Sequence, residues 1–125
     1  MEVVYELAYA WPKHGALQVQ IPSITVDIPI SPDVARRRAN GYLGINVGVL
    51  LGASEPRLLM GDRPLWKLSV DLHLPSMGYI GQVGTIQVDA TTGEVIPLST
   101  TTIQQYQDRA YDLIIRFAPA TEARR

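Results

Sequence analysis

In residues 85–96, TIQVDATTGEVI, the carboxylates Asp89 and Glu94 stand on either side of Thr-Thr-Gly. Two acids this close could share a proton in acid/base chemistry or hold a cation. Either use needs more than the pair: a positioned proton acceptor, or further oxygen ligands. The spacing also misses the Asp-x-Asp/Asn-x-Asp/Asn-Gly pattern of a calcium loop. A hairpin turn accounts for the same residues without chemistry. Gly93 can supply the positive φ that the turn needs, and the Asp89 carboxylate can accept N–H groups of the turn. Asp89, Thr92, Gly93 and Glu94 are therefore assigned to a structural hairpin.

Ser69, Asp71 and His73 recur at every second position, so on a strand they share one face. An Asp-His pair can orient a general base, and a serine beside it invites a hydrolase reading. Successive side chains on one strand face are about 7 Å apart, too far for a nucleophile-to-base hydrogen bond. No Gly-x-Ser-x-Gly elbow is present either, and the row reads as a solvated sheet face. The chain has two histidines, His14 and His73, and no cysteine. A zinc site would have to recruit carboxylates from elsewhere, so neither metal nor cofactor is expected. Gly78, Gly81 and Gly84 are spaced like a phosphate cradle, but such a loop follows a strand and opens a helix. This run precedes a strand, and a bulged turn is the expectation.

Arg36, Arg37 and Arg38 form the one basic cluster. Three consecutive helical residues fan over about 200°, and a nucleic-acid surface needs more basic side chains with stacking aromatics. A solvated face, or a contact with an acidic protein, fits better. The 125 residues suffice for one domain, whose folding buries roughly two-thirds of the chain's surface. With 46% hydrophobic and 18% charged residues the composition is globular. A net charge of -1 provides no field to recruit nucleic acid or an anionic membrane. The apolar runs fall far short of the ~20 residues of a bilayer span. The N-terminal MEVVYELAYAWPKHG lacks a basic n-region and carries Glu2 and Glu6. With the lack of cysteine, this points to a cytoplasmic protein.

The elements that would position these residues follow from periodicity. Residues 1–12 alternate as a strand, with Val3, Tyr5, Leu7, Tyr9 and Trp11 on one side and Pro12 at its end; Gly15 then turns the chain. In residues 17–30, Ile24, Val26, Ile28 and Ile30 share a face, while Pro22 and Pro29 predict an edge strand or one broken in two. Ser31-Pro32-Asp33 is a helix start. That helix is predicted to reach about Leu51, burying Ala35, Ala39, Leu43, Val47 and Leu50. Gly41, Gly44 and Gly48 cost about 1 kcal/mol each inside a helix, which predicts close packing of its backbone on a sheet. Residues 52–64 read as a connection with a short strand or turn at 57–60. In LWKLSVDLHLP, Trp66, Leu68, Val70, Leu72 and Leu74 define a core face, with Trp66 its anchor. Residues 85–90 and 94–98 complete the hairpin. A final amphipathic helix presents Ile103, Tyr106, Ala110, Leu113 or Ile114, and Phe117. Pro119 ends it, and 119–125 is a frayed tail.

The succession SPDVARRRAN, LWKLSVDL, a glycine-bearing turn and GTIQVDATTGEVI resembles the PepSY domain over residues 31–96. The matching positions are Trp66, Val88, Asp89, Ala90, Thr92, Gly93 and Glu94. The resemblance implies a helix packed on an antiparallel sheet, in modules regarded as non-catalytic and linked to binding or inhibition of peptidases.

The expectation is thus an α+β fold, an antiparallel β-sheet packed against one main α-helix, plus a C-terminal helix. It is one domain: N-terminal strands (1–30), a PepSY-like helix and sheet core (31–98), an amphipathic helix (99–118) and the tail (119–125). The expected function is a non-enzymatic protein-binding or regulatory module, inhibition of its partner included. Ile103, Tyr106, Ala110, Leu113 and Phe117, with Arg36 and Arg37, are the expected contact. Homo-oligomerisation through that helix or an edge strand is a related expectation. Two rivals are a cytoplasmic antitoxin-like inhibitor of a neighbouring enzyme, and a small-ligand or hydrolytic pocket between helix and sheet lined by Asp71, His73 or Asp89.

Overall fold

The computed structural model describes residues 4–13, 15–21 and 24–117. Val3, His14, Pro22 and the tail 119–125 lie outside these. The chain forms β1 (Tyr5–Leu7), β2 (Leu17–Ile21), β3 (Ile24–Ile28), α1 (Pro32–Asn46), β4 (Leu51–Met60), β5 (Pro64–Leu74), β6 (Gly78–Asp89) and α2 (Thr100–Phe117). The class is α+β. An antiparallel sheet runs in the order β1-β4-β5-β6, and β2 and β3 pair as a separate antiparallel hairpin. The long N-terminal strand expected over residues 1–12 is only three residues in β1. Beyond it, the Tyr9 and Trp11 rings lie 4.9 and 6.2 Å from Trp66, centroid to centroid.

α1 starts as its sequence dictates. Ser31 Oγ accepts the Val34 N–H at 3.1 Å, and Pro32 fills the first turn, where no N–H is needed. Asp33 pairs with Arg36 at 2.7 Å and with Arg37 at 3.2 Å. The hydrogen bond from Arg36 holds the Asp33 carboxyl below the usual carboxylate range. The helix ends at Asn46, short of the expected Leu51. Val47 N–H and Gly48 N–H both bond Leu43 O, at 2.9 and 2.8 Å, and close the last turn. Ala35, Ala39, Leu43 and Val47 are buried over the sheet, but Leu50 falls in the following turn and is exposed.

The glycine expectation is corrected. A Cβ at Gly41 or Gly44 would meet nothing within 4 Å, so these residues face outward and do not bring the backbone close to the sheet. Gly41→Ala and Gly44→Ala should therefore each stabilise the folded monomer by about 0.5–1 kcal/mol, read as a higher urea midpoint. A lower midpoint would mean that this face is packed.

The expected connection at 52–64 is instead largely the ten-residue strand β4. Its breakers are absorbed by a bulge: Glu55 takes φ +51, and the pairing with β5 shifts between Ser54 and Arg57, leaving Pro56 outside the ladder. α1 lies mainly over β4, and Asn40 Oδ1 accepts the Ala53 N–H at 2.7 Å. β5 matches its pattern. Trp66, Leu68, Val70, Leu72 and Leu74 are all buried, and the Trp66 indole N–H donates to Ile30 O at 2.8 Å. β6 begins well before Thr85, turning at Gly78 with φ +73, and two register shifts against β5 keep its core residues facing inward.

Candidate functional site

β6 is an edge strand, and α2 covers its outer rim. Tyr106 Oη accepts the Thr85 N–H at 3.0 Å and donates to Thr85 O at 2.6 Å, while Arg109 donates to Val83 O at 2.8 Å. Further along, Asp89 N–H bonds Glu94 O at 2.8 Å and Ile96 N–H bonds Gln87 O at 2.9 Å. The helix along Val83 and Thr85, and residues 94–96 along Gln87 and Asp89, thus do the work of a neighbouring strand. The helix also explains the glycine run. A Cβ on Gly84 would lie 2.2 Å from the Tyr106 ring, and one on Gly81 would lie 3.2 Å from Leu113. Gly78 makes a turn, and the other two seat a helix.

This arrangement corrects the expected contact surface. Tyr106 and Ala110 are buried, and Ile103, Leu113 and Ile114 pack on the chain's own core. Tyr106 and Leu113 are committed to the rim of β6, at Thr85 and Gly81, while Ala110 and Ile114 also line a cleft beside α2. Phe117 is half-exposed, with the Arg116 guanidinium 5.9 Å from its ring centre. Arg36 and Arg37 lie on the solvent side, each paired with Asp33.

The hairpin acids do not form a joint site. Asp89 Oδ1 accepts the N–H of Thr91 at 2.8 Å and of Thr92 at 3.1 Å, and Arg63 reaches Oδ2 at 3.4 Å. Gly93 takes φ +81 and its N–H bonds Asp89 O at 2.8 Å. Thr92 Oγ1 accepts the Glu94 N–H at 3.2 Å, and the Glu94 side chain is in solvent. Asp89→Ala removes the acceptor of two turn amides and should destabilise by about 1–3 kcal/mol in urea unfolding. An unchanged midpoint would deny the carboxylate its structural role.

The row of β5 that faces away from α1 is less wet than its pattern implies. Asp71 is 4% exposed and accepts hydrogen bonds from Ser69 Oγ at 2.6 Å and from Ser54 Oγ across the bulged β4 pairing. The 7 Å spacing holds for the backbone, and the side chains lean together to close it. Both hydroxyl protons point at the carboxylate, while the His73 ring stands edge-on to Tyr79 at 5.8 Å. The cluster is a carboxylate satisfied by two serines, and neither serine is activated as a nucleophile by His73. Among the described residues, no three or more His, Cys, Asp or Glu side chains gather where they could hold a metal ion.

The feature that the sequence reading missed is an apolar cleft of about 310 Å³ between the α1–β4 turn and α2. Val47, Leu51, Leu72 and Ala110 form its floor; Val49 and Leu50 face Tyr111 and Ile114 across it. Gln107 Nε2 donates to Val47 O at 3.0 Å and fastens α2 beside the end of α1. Val49 is 85% exposed and Ile45, one turn before it, 86%; Tyr111 and Ile115 are also exposed. Single exposed apolar residues are ordinary; here four of them flank one apolar cleft. Its signal was the run INVGVLL at 45–51, which extends the apolar period of α1 past the residue where the helix stops. Among the described residues no helix is long and apolar enough to cross a membrane. Compared with protein-family models, with curated proteins and with solved structures, the chain has no match.

Proposed function

We propose that this chain is a non-enzymatic protein-binding module whose docking surface is the cleft between the α1–β4 turn and α2. The observation that carries this reading is the exposure of Ile45, Val49, Tyr111 and Ile115 beside an apolar floor. A pocket for a small molecule encloses most of its ligand and offers a few polar groups to orient it. This cleft is open and largely apolar, with polar side-chain groups only on Gln107, whose amide already donates to Val47 O, and on Tyr111 at its rim. That suits side chains projecting from another polypeptide. The net charge of -1 leaves shape to do the recognition. The PepSY resemblance belongs to the same proposal: α1, the strand led by Trp66 and the VDATTGEV hairpin follow one another in its order.

A photo-crosslinking residue at position 49 of the full chain tests this in native lysate. Discrete polypeptide adducts are expected at position 49, lost on Tyr111→Asp, with none from the same group at the exposed position 94. No adduct at position 49, or one indifferent to Tyr111→Asp, would remove the docking reading.

A further inference from the structure

We propose that the sheet face turned away from both helices carries a second site, independent of the cleft: a recess spanning β4, β5 and β6 that takes the carboxylate of a small organic acid. Both helices lie on the core face, since α2 seats on Gly81 and Gly84, the partners of Leu72 and Val70. Trp66, Leu68 and Val70 point into that core, so Lys67 and Ser69 point the other way. The β4 bulge decides what stands opposite Lys67. From Ser54 to Arg57 β4 advances three residues, while β5 goes back two, from Ser69 to Lys67. The extra residue brings Arg57, in place of Pro56, into line with Lys67.

Two cations directly opposite each other in a sheet, with Cβ atoms about 5 Å apart, repel and weaken the pairing. The chain sets no acid between them. Arg57 reaches Glu6 only at 3.7 Å, and both side chains are 57% exposed, so that contact contributes little. Lys67 is half-buried on the central strand and has no hydrogen bond or ion pair with another described residue. Beside the pair lies a recess of about 100 Å³ whose lining includes Glu55, Arg57, Lys67, Ser69 and Thr85. That is room for about three waters, or for a carboxylate and the first carbons that carry it. The Lys67 ammonium and the Arg57 guanidinium supply N–H donors, and the guanidinium fork matches the two oxygens of a carboxylate. The Thr85 hydroxyl lines the same recess as a further donor. Ser69 gives its proton to Asp71 at 2.6 Å and presents only an acceptor oxygen. Among the lining residues two are cations and one, Glu55, is an acid that pairs with neither. This balance suits a singly charged carboxylate better than a doubly charged phosphate. Binding exchanges the repulsion of Arg57 and Lys67 for charge-assisted hydrogen bonds to a shared anion.

The experiment is a nuclear magnetic resonance titration of the isotopically labelled full chain with sodium acetate, with inorganic phosphate, and with sodium chloride at matched ionic strength. Saturable shifts are expected with acetate in the millimolar range, centred on the amides of Lys67 and Thr85, and none with chloride. Lys67→Met keeps the stem and removes the charge. It should weaken acetate binding about tenfold or more, the worth of a charge-assisted hydrogen bond. A purely structural lysine would not move that readout, and the thermal midpoint should hold or rise because the cross-strand repulsion leaves with the ammonium. Arg57→Gln is the second variant should the first not fold, with the same expectations. Glu55→Gln should tighten acetate several-fold by removing the opposing charge. Absence of saturable shifts, shifts that follow ionic strength alone, or acetate binding unchanged in both Lys67→Met and Arg57→Gln would each overturn the proposal. Phosphate bound more tightly than acetate would overturn it too.

Discussion

Trp66→Ala should lower the stability of the folded chain by about 3–5 kcal/mol, the usual cost of emptying a large aromatic site. Domains of this kind have about 5–15 kcal/mol in total, so a measurable unfolded fraction is expected in the variant without denaturant. Three losses combine. The indole is fully buried at the centre of the core face of β5, among Leu58, Leu68 and Val88. Its N–H is the donor to Ile30 O, the residue that leads the chain into α1, and that carbonyl would be left without it. Its ring is also the surface on which Tyr9 and Trp11 rest, so the N-terminal segment would come loose with it. Trp66→Phe keeps most of the volume and loses the donor, and should cost about half as much. Urea unfolding followed by far-ultraviolet circular dichroism checks both. A cost below about 1 kcal/mol for the alanine variant would mean that Trp66 is not the anchor of the core.

Gly84→Ala adds a single methyl group and should still destabilise by about 3 kcal/mol, with a fall in thermal midpoint of roughly 10 °C. The new carbon would stand 2.2 Å from the Tyr106 ring, inside any tolerable contact, and the ring is held by two hydrogen bonds to Thr85. Relief requires α2 to lift from β6. The substitution should therefore cost little in a Tyr106→Ala background, and the non-additivity of the pair is the diagnostic quantity. A large cost that persists without the tyrosine ring would place the strain in the strand itself. The contrast with Gly41→Ala sharpens the point. The same chemical change is expected to stabilise α1, where a Cβ meets open space, and to unseat α2, where it meets a ring.

What was legible in the sequence is what neighbouring residues decide among themselves. The Ser31 cap, the alternation through β5 and the Gly93 turn each depend on a few adjacent positions, and each stands where the pattern puts it. The amphipathic period of α2 is also local, but whether its apolar face meets its own sheet or a partner is not, because Tyr106 and Arg109 answer to the rim of β6. β4 was illegible because Gly52, Pro56 and Gly61 are loop-formers by type, and only the pairing with β5 shows that a bulge at Glu55 carries the strand past the proline. Asp71 read as wet because the serine that helps to bury it, Ser54, sits on another strand. The cleft was hidden for a related reason. Its walls come from the end of α1 and from α2, and an apolar run shows no sign of whether the helix continues through it.

The covering of β6 by α2 has a consequence for the order in which the protein is made. α2 follows β6 in the chain, so the sheet can leave the ribosome before the side chains that cover its rim. Until Tyr106 and Arg109 arrive, the backbone groups of Val83 and Thr85 are available to any neighbouring nascent chain. A chain cut short before residue 100 would carry the whole four-stranded sheet with the Val83 and Thr85 edge uncovered. Translation through α2 is the step that makes the newborn molecule safe beside its siblings.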